Sequence, residues 1–280
     1  MMKYLHYLFS LAVMLLLTGC NQKDEKLLGD DILLFRGTPA WGLAKAIEAS
    51  DVAKINQILD KGEISVDFRE PRYGVTLLTI AVKRYKYDSM VALLDKGADP
   101  NLQETHGHET ALQAAILYRK MNNSGEHDTR YVKSLIEHGA DVNLYDHHPG
   151  KYDGLAAKPP LHLAAIMQSI DIAKILLGAD ALINARDASE FQCLAISETT
   201  LSFIYFLVVE RKAEFKEPLC LYERSDRVNR LVDLVRAENM AFDNRARNSD
   251  LSEELRNSAK EQLRYGLMLK EFLISHGEDY

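Results

Sequence analysis

Thr76-Leu77-Leu78-Thr79-Ile80-Ala81-Val82, then Met90-Val91-Ala92-Leu93-Leu94-Asp95-Lys96-Gly97-Ala98-Asp99-Pro100-Asn101, is the stretch that decides the fold. The same order returns at Thr110-Ala111-Leu112-Gln113-Ala114-Ala115. There it is completed by Tyr131-Val132-Lys133-Ser134-Leu135-Ile136-Glu137-His138-Gly139-Ala140-Asp141-Val142-Asn143. A third copy reads Pro159-Pro160-Leu161-His162-Leu163-Ala164-Ala165, then Ile172-Ala173-Lys174-Ile175-Leu176-Leu177, and ends at Asn184. The interval from Thr76 to Asn101 equals that from Pro159 to Asn184, so the copies share one internal spacing.

Each position has a physical reason. Leu and Ala at i, i+1 and i+4 of a first helix make a narrow apolar face on which helices stack closely. Gly97 and Gly139 stand just past their second helices, where a positive φ is needed. Asp180 takes that place in the third copy, and Asp enters the left-handed region more readily than most residues. The Asp-x-Asn that follows suits a turn into a hairpin. A lone helix pair cannot bury its own apolar surface, so the units must stack.

These residues resemble the ankyrin repeat, whose pattern is TPLHLAA, an apolar second helix, then GADVN, repeated about every 33 residues. The step from Thr76 to Thr110 is close to that period. The resemblance implies an all-α solenoid of helix-turn-helix units joined by hairpin loops. Two departures interrupt the period. Thr110 to Asn143 exceeds Thr76 to Asn101 by eight, which places an insertion around Arg119–Arg130. Asn143 to Pro159 is seven longer than Asn101 to Thr110, which places a second insertion at Leu144–Lys158.

Weaker copies lie outward on both sides. Trp41 to Leu59 reads as two helices with Ser50-Asp51 between them and Lys61-Gly62 closing the second. Phe191–Ile196 through Leu207-Val208 reads as a fifth unit, and Pro218–Leu221 with Val228–Val235 as a sixth. Leu251, Leu255, Ala259, Leu263 and Leu267 recur every fourth residue in a last helix, with Asp250 to Glu253 as its capping box. The array is expected over 39–280, with six to seven units and degenerate terminal caps.

The front of the chain has a different character. Residues 1–20 read MMKYLHYLFSLAVMLLLTGC: Lys3, an apolar run from Leu8 to Leu17, then Leu17-Thr18-Gly19-Cys20. The run is short for a membrane span and suits a signal peptide. Leu-Thr-Gly-Cys resembles the lipobox of bacterial lipoproteins. This implies a signal peptide over 1–19, acylation of Cys20, and a tether over 20–38. Loss of Lys3 takes the net charge from −7 to −8. Asn21, where lipoproteins held at the inner membrane commonly carry Asp, implies the periplasmic face of the outer membrane.

Composition excludes several classes. There are 34 Lys and Arg against 41 Asp and Glu, so a nucleic-acid partner is not expected. Three cysteines do not make a disulfide framework. Cys193 and Cys220 stand near the starts of consecutive predicted units and read either as a bonded pair or as two small buried apolar residues. His106, His108, His147 and His148, with Asp146, fall in predicted hairpin loops but have no metal-ligand spacing, so no metal or cofactor is expected. Gly-x-Ser-x-Gly, a Cys/His pair with an orienting group, and a phosphate-cradling glycine loop are all missing, and an enzyme is not expected.

Protein binding remains. Ankyrin arrays bind partners with hairpin tips and first-helix faces, and the tips here carry Phe68, Arg69, Arg72, Tyr73, Gln103, Glu104, His106, Tyr145, His147, His148, Tyr152, Arg186 and Glu190. Tyr and Arg on rigid loops are hot-spot types. Arg69, Arg72, Tyr73, Glu104, His106, Tyr145, His147, His148, Tyr152 and Arg186 are the candidate contacts, and the second insertion adds Tyr145, His147, His148 and Tyr152 to one finger. A net charge of −8 favours a basic patch on the partner. Ankyrin lipoproteins of this kind are similar to immunity proteins that neutralise lipase effectors of type VI secretion. The resemblance therefore implies a periplasmic inhibitor of an antibacterial toxin. The alternative is an envelope scaffold that holds a resident periplasmic enzyme.

Overall fold

The computed structural model describes residues 31–105, 108–118, 128–145, 158–183, 200–213 and 231–280. A 3-10 turn, Ile32–Phe35, precedes α1 (Trp41–Glu48), α2 (Val52–Leu59), α3 (Leu77–Lys83), α4 (Tyr87–Asp95), α5 (Ala111–Leu117) and α6 (Arg130–Glu137). Then come α7 (Pro160–Ile166), α8 (Ile170–Gly178), α9 (Leu201–Tyr205), α10 (Leu231–Arg247) and α11 (Glu253–Ser275). Among the described residues there is no strand, and Arg69 and Thr76 form an isolated antiparallel bridge. Nor is any helix in this part long and apolar enough to cross a membrane.

The repeat signature sets where the helices start and stop. Thr76 caps α3 by accepting from the Thr79 amide. Thr110 caps α5 in a full capping box, with the Gln113 side chain bonded back to the Thr110 amide. Ser169 caps α8 through its hydroxyl, which accepts from the Ile172 amide. Such caps are worth ~1 kcal/mol each. Pro160 opens α7, where the missing amide hydrogen costs no bond. Gly97 (φ +83°), Gly139 (φ +87°) and Asp180 (φ +64°) are all left-handed, as the pattern requires. Inside the pairs the reversal is made by non-glycine residues, Ser50, Tyr85 and Gln168, at φ +54° to +58°.

Four helix pairs stack in register. The first helices α1, α3, α5 and α7 touch in succession, and so do the second helices α2, α4, α6 and α8. Leu43, Ile47, Leu77, Ile80, Leu93, Leu112, Leu135, Leu163 and Leu176 run through one continuous apolar core. Alanines at 44, 81, 114 and 164 are fully buried and let the first helices approach. The all-α solenoid expected from the signature is the architecture observed.

The C-terminal part differs in scale. Helices of the four pairs have seven to nine residues, whereas α10 has 17 and α11 has 23. α9 runs directly into a π-helical turn, Phe206–Glu210, and α11 packs on both α9 and α10. Two expectations are corrected here. Ser252, not Asp250, caps α11. The every-fourth-residue stripe is not its buried face either, because Leu255 is 56% exposed and Leu267 50%. Of that stripe Ala259 is buried, and Gly266, Leu269 and Leu273, which lie outside it, complete the buried face. A step of four advances 400° at ~100° per residue, so such a stripe drifts off any one face within a few turns. The expected signal peptide, Cys20, Cys193, Cys220 and the starts of the fifth and sixth units lie outside the described residues.

Candidate functional site

The loops between pairs are the fingers, and the first two are described far enough to show their hairpin pairing. In the first, Glu70 donates its amide to Val75 O (3.0 Å) and Gly74 donates to Glu70 O (2.8 Å). The Glu70 carboxylate, 4% exposed, accepts from the amides of Arg72 (2.8 Å) and Tyr73 (2.7 Å) and so ties the tip from within. Gly74 sits at φ +67°, and a Cβ there would lie 2.6 Å from Thr105 Oγ1. Only glycine allows the second finger so close, with the Thr105 amide donating to Tyr73 O at 2.9 Å. At the equivalent place of the second finger, His108 takes the left-handed conformation at φ +53°.

Side-chain amides lock the row together. Asn101 Nδ2 donates to Gly139 O (2.9 Å) while its Oδ1 accepts from the Asp141 amide (2.7 Å). Asn143 repeats this on Asp180 O (3.3 Å) and the Leu182 amide (2.8 Å). The first link has Asp67 at that position, which can only accept, and it takes the Asp99 amide at 3.0 Å. Arg69 adds a bond from Nη1 to Gln103 O at 2.8 Å. Each finger is thereby positioned by its predecessor.

Under the second finger lies a buried charge cluster. Lys83 Nζ, at the end of α3, is 2.7 Å from Glu104 Oε1 and 2.6 Å from Glu109 Oε2, with all three side chains at most 12% exposed. Burial would push the Lys83 ammonium down, but the two carboxylates outweigh it and hold it above the usual lysine range. Burial raises the Glu104 carboxyl against the pull of Lys83. Along the second helices Lys96 pairs with Asp60 (2.6 Å), and His138 lies 3.4 Å from Asp95. On the other side Arg84 grips Glu48 with two bonds of 2.7 and 2.8 Å, and that grip holds the Glu48 carboxyl below its usual range.

The candidate contacts divide accordingly. Arg69 and Arg72 are exposed on the first finger, with Tyr73 part-buried beside them, and Tyr145 is part-exposed on the third. Glu104 is corrected: at 7% exposure it belongs to the Lys83 cluster and presents no carboxylate to a partner. Phe68 turns inward, 6.3 Å from the Phe35 ring. His106, His147, His148, Tyr152 and Arg186 lie outside the described residues, as does most of both insertions. Among the described residues no three His, Cys, Asp or Glu side chains converge on a metal site. Sequence reading missed Lys83 and the bridging role of Asn101 and Asn143. The Asn signal was visible but read as a turn. Lys83 gave none, since Glu104 and Glu109 lie in the next unit, far along the chain from it.

Residues 78–187 match the family model of ankyrin repeats, in three copies. The chain carries ankyrin repeats. It is 32% identical over 120 residues to Protein PhlB of Serratia liquefaciens, a match covering 43% of this chain and 48% of that protein. It is also 30% identical over 151 residues to FPV014, a fowlpox virus (strain NVSL) protein named for its ankyrin repeats, covering 53% of this chain and 30% of that one. The chain thus spans less than half the length of these curated relatives. Ankyrin repeats are protein-binding modules, and no catalytic family is indicated. The row of fingers on its stacked first helices is therefore the candidate partner-binding face.

Proposed function

We propose that this ankyrin protein is a lipid-anchored inhibitor in the bacterial periplasm that captures and neutralises an antibacterial toxin, a lipase-like effector of type VI secretion. The observation that carries the binding part is the cross-linked row of fingers. Asn101, Asn143, Asp67 and Arg69 tie the base of each following loop to its neighbour, so less order has to be created when a partner docks. Arg69, Arg72, Tyr73 and Tyr145 supply the hot-spot chemistry. The Leu17-Thr18-Gly19-Cys20 tetrapeptide and Asn21 support an acylated chain on the outer membrane, held where an incoming effector arrives. A rigid stoichiometric binder present beforehand fits the task of an immunity protein.

The test is affinity capture from envelope extract of the producing strain with the purified protein as bait, followed by an activity assay on what is captured. Capture of one stoichiometric toxin-like hydrolase that loses activity on binding is the expected result. A resident envelope enzyme that stays active in the complex would overturn the inhibitor reading in favour of a scaffold. Arg72→Ala with Tyr73→Ala weakens capture by ~10–100-fold if the first finger is a hot spot.

A further inference from the structure

We infer that the N-terminal end of the solenoid is a lipid-docking surface, in which Trp41 sits in the bilayer interface and Arg36 and Lys45 bind anionic phospholipid headgroups. Trp41 is the chain's one tryptophan and stands at the first position of α1, half-buried against the core. Arg36 lies 5.9 Å from the centre of its ring and Lys45 5.6 Å. Both cations are exposed, and neither has an ion-pair partner among the described residues. Glu48, the acid of α1, is turned to Arg84 and Lys86 at 2.7 and 3.9 Å. In a chain of net charge −7 this places two positive charges beside an aromatic ring, with no acid paired to either among the described residues. Among the described residues, no atom lies close to where a side chain at Gly37 or Gly42 would begin.

The occupant follows from charge and reach. Tryptophan prefers the headgroup boundary, and Lys and Arg beside it are drawn to anionic lipid. The inference rests on the acyl anchor proposed for Cys20. The stretch from Cys20 to Asp31 reaches at most ~36–40 Å even fully extended. The first pair, α1 and α2, is continuous with that tether. Each further pair stands ~8–10 Å deeper into the periplasm. With the Trp41 end on the lipid, the array points away from the membrane and its fingers stay open to a partner.

The experiment places the acylated protein, purified from membranes, on vesicles of phosphatidylethanolamine and phosphatidylglycerol. In a matched set, the phosphatidylglycerol chains carry bromine near the headgroup. All indole emission comes from Trp41. The expected result is a blue-shifted emission that is quenched on the brominated vesicles. The Arg36→Gln/Lys45→Gln protein, still vesicle-bound through its acyl chains, should lose that quenching. Vesicle-bound protein whose emission is equal on brominated and plain lipid overturns the inference and leaves the anchor standing, as does a double variant quenched like the wild type. An intact mass without acyl groups, in protein that does not float with the vesicles, instead sinks the anchor reading and this inference with it.

Discussion

The first and second fingers share one hairpin bond and put the same residue to different uses. Glu70 and Glu104 occupy one repeat position in consecutive units, and each donates its amide across its own hairpin. Glu70 turns its carboxylate onto the tip amides of Arg72 and Tyr73. Glu104 is drawn down instead to Lys83, which Glu109 also approaches. The counterpart of Lys83 under the third finger is Leu117, an aliphatic residue that offers no such partner. A repeat thus dictates the hairpin, while the neighbouring unit decides where a charged side chain goes.

Removing the cation should separate the two fingers most sharply. Lys83→Met leaves Glu104 and Glu109 buried without their positive partner and should cost about 3–5 kcal/mol in denaturant unfolding. Glu70→Gln, which keeps one acceptor for the tip, should cost only about 1 kcal/mol. Equal losses would mean the two fingers are held by the same means after all.

Gly74→Ala comes next, at about 2–3 kcal/mol, because it combines a left-handed φ with a clash on Thr105. Gly97→Ala, with the same sign of φ but open space around it, should lose only about 1 kcal/mol. Asn101→Asp would convert the second link into a copy of the first, in which the residue can only accept. It loses the bond to Gly139 O at about 1 kcal/mol and should raise amide exchange at the third finger.

The smallest effects concern pH. Lys83 is held above its unfolded value, so its contribution is complete below pH 10.5 and is lost as pH rises through the higher folded value. The alkaline fall in melting temperature should therefore be shallower in Lys83→Met than in wild type. Glu48 is held below its unfolded value of 4.5, so its pair with Arg84 contributes above that pH and fades as acid titrates it. That pair is a third exposed, and Glu48→Gln should move acid unfolding only slightly.

The helix pairs and their ends were legible because they rest on local rules. Thr76, Thr110 and Gly139 act within a few residues of themselves, and a short window shows what they do. The last helix was legible in existence but not in orientation. Its Leu stripe was real, yet the face it buries is set by α9 and α10 and centred on Gly266, where a Cβ would meet Asn239. The candidate face was legible in part. Arg69 and Arg72 are exposed on their finger as expected, whereas Glu104 and Phe68 are taken up by contacts with Lys83 and Phe35.

From its order of residues alone this protein was bound to form short paired helices with left-handed stops and an apolar face that demands a stacked neighbour. Those outcomes depend on hydrogen bonds and φ values spanning a few positions. Which acid is spent on a buried lysine, which asparagine clamps the next finger, and which leucines stay exposed were decided only by stacking. Each of those contacts joins residues tens of positions apart, and their meeting depends on the register in which whole units come together.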